Sequence, residues 1–234
     1  TIEKINATDK KIYVCNFCNT KFSREKTLLV HVCEQQRRHL ARKERHVVLA
    51  FETYQKFYRI AQNIKQEKTY EEFARSPYYN AFVKFGSFVS NVNPLYPDKF
   101  IEYVVTSGIK LDHWCRDELY DTYVVNLIKT ESVETALERT IKYMIEWADE
   151  NNAEWNHYFK YANLNRVAYH IKDGKISPWL ILNSINGQNM LKKFDDVQLQ
   201  MISAVMDIPY WLSKFKKLPA DVELVKQIFK ESNL

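Results

Sequence analysis

Glycine is scarce in this sequence, at 4 of 234 residues, and proline occurs only 6 times, against averages near 7% and 5%. Tight turns depend on these two residues, so a chain of many short hairpins is excluded, and with it a sandwich, barrel or propeller. No run approaches the 18 or so apolar residues that a membrane span requires; the longest pieces are 47–51 and 179–182. The first eleven residues are polar and charged, without the apolar stretch of a signal peptide, so a cytoplasmic setting is expected. A phosphate-binding glycine loop, a nucleophile elbow and an HExxH motif are all missing, and no small-molecule substrate is indicated.

What is present is a chain with 46% hydrophobic and 14% aromatic residues, too many for disorder. Charge is uneven. Residues 1–68 hold 15 Lys/Arg and 7 Asp/Glu, whereas residues 69–234 hold 19 and 22, so a basic partner surface belongs to the N-terminal part. Three of the four cysteines, Cys15, Cys18 and Cys33, fall within nineteen residues and Cys115 stands apart, a distribution that suits a metal site better than disulfides in a reducing compartment.

The pattern predicts a mainly α protein: an N-terminal ββα finger, then a long helix, then a compact all-α multi-helix domain. From Ser23 to Ala74 there is neither Gly nor Pro, and apolar positions 47, 50, 51, 54, 57, 58, 61 and 64 mark one helical face. Thr69-Tyr-Glu-Glu72 has the form of a capping box, Asp98, Ser132 and Asp196 have the form of N-caps, and Gly108 that of a C-cap. Pro77-Tyr78, Pro178-Trp179, Pro209-Tyr210 and Pro219 fit the first turns of helices. Helices are therefore predicted near 69–74, 77–91, 98–107, 112–129, 133–150, 153–170, 178–184, 196–206, 209–216 and 219–231. The expected division is 1–36 for the finger with its tail, 37–68 for a basic and then amphipathic connecting helix, and 69–234 for the helical domain.

One constellation carries chemistry. Tyr13-x-Cys15-x2-Cys18-x3-Phe22-x5-Leu28-x2-His31 resembles, position for position, the first three ligands and three apolar residues of a Cys2His2 zinc finger. The resemblance implies that Cys15 and Cys18 sit on a hairpin knuckle, that Phe22 and Leu28 form a miniature core, and that His31 projects from the finger helix to help hold tetrahedral zinc. The family pattern fails at the fourth ligand, where Gln35 or Gln36 stands. His39 lies about 12 Å further along a continuous helix at 1.5 Å per residue. Cys33 is nearer but converges with His31 only if the finger helix ends at about Val32 and the chain turns. A Cys3His site closed by Cys33 is the favoured reading, with His39 as the alternative fourth ligand. Four protein ligands leave no open position, so zinc here would support folding rather than hydrolysis.

In the finger family, helix positions −1, 3 and 6 meet base edges, and the resemblance places Arg24, Thr27 and Val30 there, with Lys26 beside them. Only Arg24 is a natural base reader. Arg37, Arg38, Arg42, Lys43 and Arg45 follow, with His39 and His46 interleaved, an electrostatic footprint for phosphate. The expected partner is nucleic acid, double-stranded DNA in the first instance, and the acidic helical body is a candidate surface for a protein partner. A zinc-stapled helical scaffold making protein contacts is the alternative. The segments Ser76-Pro-Tyr-Tyr-Asn-Ala-Phe-Val-Lys-Phe-Gly86 and Lys175-Ile-Ser-Pro-Trp-Leu-Ile-Leu182, with the stretch from Lys11 to Arg38, are similar to uncharacterised finger-containing proteins of large contractile-tailed phages, which implies a host-cell or virion setting but no mechanism.

Two enzyme-like patterns carry blander readings. Glu154-x-x-His157 is half of a di-iron motif that needs two copies and two further glutamates, and it occurs once. Asp221-x-Glu223-x-x-Lys226 resembles a nuclease set but follows a proline helix start, where acidic residues complement the helix dipole.

Overall fold

The computed structural model describes residues 12–232. Among these the only strands are β1 (Tyr13–Val14) and β2 (Lys21–Phe22), an antiparallel pair with Tyr13 opposite Phe22. Everything regular that follows is helical, so the protein is mainly α as the Gly and Pro scarcity requires. No helix among the described residues is long and apolar enough to cross a membrane.

The first helices are short: α1 (Glu25–Leu29), α2 (Glu34–Leu40), and a 3-10 turn at Ala41–Lys43 before α3 (Arg45–Ile60). The single connecting helix predicted over 37–68 does not form. Glu44 is extended at φ −69° and ψ 135°, and its carbonyl opens α3 by accepting the Val47 and Val48 amides. At the far end α3 stops at Ile60, and Asn63 takes a left-handed φ of 51°. Next come α4 (Tyr70–Arg75), α5 (Tyr79–Val92) and α6 (Pro97–Thr106). The Thr69 side chain caps α4 in a reciprocal box with Glu72, as its sequence indicates, and Gly108 adopts φ +71° beyond α6.

Two compact units form, one from residues 12–93 with 104–115 and the other from 94–103 with 116–232. These units are drawn differently from the sequence-based boundaries at 36 and 68, because residues after 69 pack with residues before it. In the first unit α3 and α5 lie so close that a β-carbon on Gly86 would sit 2.1 Å from the His46 carbonyl oxygen. Phe73, Phe82, Phe85 and Trp114 are buried there, and Trp114 meets Phe57, Phe82 and Phe85 edge-on. Its indole N–H donates to the Ile109 carbonyl at 2.8 Å. This inward turn breaks the helix predicted over 112–129 into a 3-10 turn at Leu111–His113 and α7 (Asp117–Thr130).

The second unit holds α7, α8 (Val133–Asn151), α9 (Tyr158–Tyr161), α10 (Leu164–Lys172), α11 (Pro178–Asn183), α12 (Ile185–Leu191), α13 (Asp196–Ile202), α14 (Ile208–Lys217) and α15 (Pro219–Ser232). Ser132 caps α8 as predicted, whereas the capping box of α13 uses Asp195 with Gln198, one residue before the predicted Asp196. The helix predicted over 153–170 is interrupted at Ala162, because Asn163 caps a new start at α10. Helix α12 was not predicted at all; Ser184 starts it by accepting the Gly187 amide. The core of this second unit includes Met144, Trp179 and Trp211. Arg139 forms a buried ion pair with Glu131 and donates to the Gly174 carbonyl at 2.8 Å.

Candidate metal centre

The hairpin turns tightly enough to present two thiols. Asn19 at φ 59° occupies the left-handed region, and the Cys15 amide and carbonyl bond Thr20 and Asn19 across the turn at 3.0 and 2.8 Å. Helix α1 then ends early, with its C-cap at Val30. That early stop is what the ligand geometry needs: the chain turns through 30–33, and Cys33 opens α2 as N-cap, its Sγ accepting the Gln36 amide at 3.4 Å.

One ligand atom from each of Cys15, Cys18, His31 and Cys33 lies within 4.8 Å of the others. The Cys15 and Cys33 sulfurs are 4.0 Å apart, and Cys18 Sγ is 3.3 Å from His31 Nε2. A tetrahedron with metal–sulfur arms of about 2.3 Å has edges of roughly 3.8 Å, so the four atoms are compatible with one zinc ion. His39 is not in this group; its ring packs against Phe17 with centroids 5.2 Å apart. Behind the ligands, the Phe22 ring packs on His31 at 4.8 Å between centroids.

The thiols differ in their readiness to ionise. Cys18 is lowered to about 6, first by the hydrogen bond between its Sγ and the Thr20 hydroxyl, 3.0 Å away, then by the Thr20 amide and by His31. Burial pushes Cys33 up instead, and a cation at the centre opposes that shift by favouring the thiolate. Thr20 is a contributor that spacing rules overlook, since they read the cysteines and not the hydroxyl two residues on.

No family model, curated protein or solved structure matches the chain. The finger reading therefore rests on the ligand spacing and on this geometry, and the similarity to phage proteins gains no support from comparison.

The predicted nucleic-acid residues fall into two groups. Arg24, Lys26 and Thr27 are exposed on and before α1, and Arg37, Arg42, Lys43 and Arg45 are exposed as well. Arg42 donates to the His39 carbonyl at 3.1 Å and Arg45 to Asn93 Oδ1 at 2.9 Å, contacts that leave both charges unneutralised. Arg38 is placed otherwise. Its guanidinium donates to the Ala74 carbonyl at 2.6 Å, pairs with Glu34, and lies 4.2 Å from the centre of the Tyr79 ring. Tyr70 donates its hydroxyl to the Arg38 carbonyl at 2.5 Å. Arg38 thus ties α2 to α4 and α5.

Beside these cations stand exposed apolar residues: Val30, at a base-meeting position of the finger pattern, is 78% exposed, and Leu29 and Leu40, which the sequence reading passed over, are 77% and 68% exposed. Elsewhere, Glu154 and His157 approach only to 3.9 Å, and Lys226 pairs with Glu223 at 3.1 Å.

Proposed function

We propose that this chain is a zinc-stapled docking protein that binds nucleic acid, double-stranded DNA in the first instance, through the cations of its finger and of residues 37–45. Zinc held by Cys15, Cys18, His31 and Cys33 serves folding: it fixes the turn at 30–33 and with it the start of α2, and it performs no hydrolysis because four protein ligands leave no open position. The observation that carries the reading is that Arg37, Arg42, Lys43 and Arg45, which follow the cluster in the chain, are all exposed and none is paired with a carboxylate in the described structure. Such charges attract a phosphate backbone and release its counterions. Arg24 is the one candidate for a base edge. A phage-infected cell is the setting we propose, on the similarity of residues 11–38, 76–86 and 175–182 alone.

The test is a salt titration of full-length protein on duplex DNA. Four phosphate contacts give a slope of log affinity against log salt of roughly −3.6, and a single-stranded DNA or RNA preference would move the partner without removing the contacts. A slope near zero, or affinity no tighter than millimolar at low salt, overturns the reading.

One observation favours a second reading, a scaffold for protein contact. Val30 is apolar and exposed at a base-meeting position, Leu29 and Leu40 add exposed apolar surface beside the cations, and Arg38 is used inside the protein. If zinc removal abolishes a protein complex while nucleic-acid affinity is negligible, this second reading replaces the first.

A further inference from the structure

Within the second unit, α7, α12, α13 and the start of α14 enclose an open groove of about 750 Å3. Its walls are aliphatic, with Val125, Leu191, Leu199, Ile202, Met206 and Ile208 among them and no aromatic ring. Leu199 and Ile208 are 43% and 42% exposed, and Leu212, one turn beyond Ile208 on α14, is 54% exposed. The apolar surface thus runs on past the cavity, further than a compact ligand would cover. Polar groups are few: Ser203, and the pair of Lys129 Nζ with Asp207 at 2.8 Å. An extended peptide laid across these walls would leave its amides unmatched, whereas a helix satisfies its own.

The free charge around the groove is four lysines against one carboxylate, the exposed Asp196 in the first turn of α13. Asp207 is engaged by Lys129 and by capping α14 through the Tyr210 amide, and Asp195 is engaged in the capping box of α13. Lys192 and Lys193 follow Leu191 directly, Lys216 and Lys217 end the helix that carries Ile208 and Leu212, and all four are exposed. The neighbouring 117–154 stretch is strongly acidic, with ten Asp/Glu against three Lys/Arg, so the lysines distinguish this face from that stretch.

We infer that this groove is the docking site for an acidic amphipathic helix of a partner protein, which seats a row of aliphatic side chains between α13 and α14 and sets its carboxylates against Lys192, Lys193, Lys216 and Lys217. This surface is separate from the metal centre and from the N-terminal cations, and it stands or falls independently of nucleic-acid binding.

The experiment uses full-length protein and three synthetic helical peptides of roughly 18 residues, about five turns. Each carries leucines at i, i+3, i+4 and i+7; the first has glutamates on its flanks, the second lysines, and the third has the glutamates with the leucines replaced by glutamine. Fluorescence anisotropy should show the first binding at least about tenfold tighter than the second, with the third not binding. Ala204→Trp fills the groove from an exposed position and should weaken the first peptide by about tenfold or more at unchanged helicity; Ile208→Asp is the independent second variant. The same affinity should persist when Arg24, Arg37 and Lys43 are changed together to Gln, which separates this site from the nucleic-acid surface. Equal binding of glutamate and lysine peptides, indifference to both groove variants, or loss of binding in the triple Gln variant overturns the inference. Displacement of a polarity-sensitive dye by a fatty acid such as laurate, with no peptide binding, would instead make the groove a small-molecule pocket.

Discussion

Cys33 Sγ stands 4.0 Å from Cys15 Sγ while it accepts the Gln36 backbone amide at 3.4 Å, so the residue that closes the ligand cluster is also the one that starts α2. A metal held by this cluster would therefore also fix where the following basic segment starts. The Arg38 contacts with Ala74 and Tyr79 carry that placement into α4 and α5.

The first consequence concerns the metal. Elemental analysis of protein purified without chelator should give one zinc per chain. Cys15→Ala and Cys18→Ala should abolish it, and Cys33→Ala should weaken it far more than His39→Ala, because His39 packs on Phe17 outside the cluster. Dependence on His39 and indifference to Cys33 would reverse the ligand assignment. Chelation should also lower the thermal midpoint, since the ligands hold the turn between α1 and α2.

Two adjacent arginines should respond oppositely. Arg38→Gln leaves the Ala74 carbonyl and Glu34 without their donor and should cost about 1–3 kcal/mol in urea unfolding, with little change in the salt slope on DNA. Arg37→Gln should flatten that slope by roughly 0.9 at unchanged stability. Equal effects of the two on stability would mean that the contacts of Arg38 with α4 and α5 do not hold in solution.

Gly86 is the position where α3 and α5 approach closest. A β-carbon there meets backbone, the His46 carbonyl and the Ala50 amide, and neither can move without shifting a helix. Gly86→Ala should therefore destabilise the protein by about 3 kcal/mol or more. Gly108→Ala meets nothing within 4 Å and carries only the strain of φ +71°, so about 1 kcal/mol is expected. Comparing the two urea midpoints separates packing from backbone strain.

His170 should make the second unit sensitive to acid. It is buried between the hydroxyls of Tyr143, 2.7 Å from Nε2, and Tyr158, 3.3 Å from Nδ1. Burial, reinforced by Lys175 and Arg166, lowers it to about 4. The folded protein keeps this imidazole neutral while the unfolded chain takes up a proton near 6.5. Stability is thus complete above about pH 6.5, falls as pH drops toward 4, and is flat in this contribution below that. The loss should be on the order of 2–3 kcal/mol. His170→Gln retains a hydrogen-bonding side chain without the titration, so its stability should vary less between pH 6.5 and 4; parallel curves for the two proteins would refute the assignment.

What the sequence by itself determined is what short-range chemistry controls. The scarcity of glycine and proline marked the protein as helical, Thr69 with Glu72 and Ser132 marked helix starts, and the spacing of Cys15, Cys18 and His31 marked the candidate metal cluster, because caps and knuckles are built from residues a few positions apart. The predicted convergence of Cys33 with His31 was legible for the same reason, as a question of whether one short helix stops. What only the tertiary structure decided is where residues distant in the chain meet. Arg38 looked like one more cation in a basic run, and its withdrawal depends on Ala74 and Tyr79, more than thirty-five residues on. The break near Trp114, the pairing of α3 with α5 through Gly86, and the opening of an aliphatic groove at Leu199 and Ile208 follow the same rule. An apolar side chain reads the same in sequence whether its neighbours cover it or leave it exposed, and that is settled only by packing.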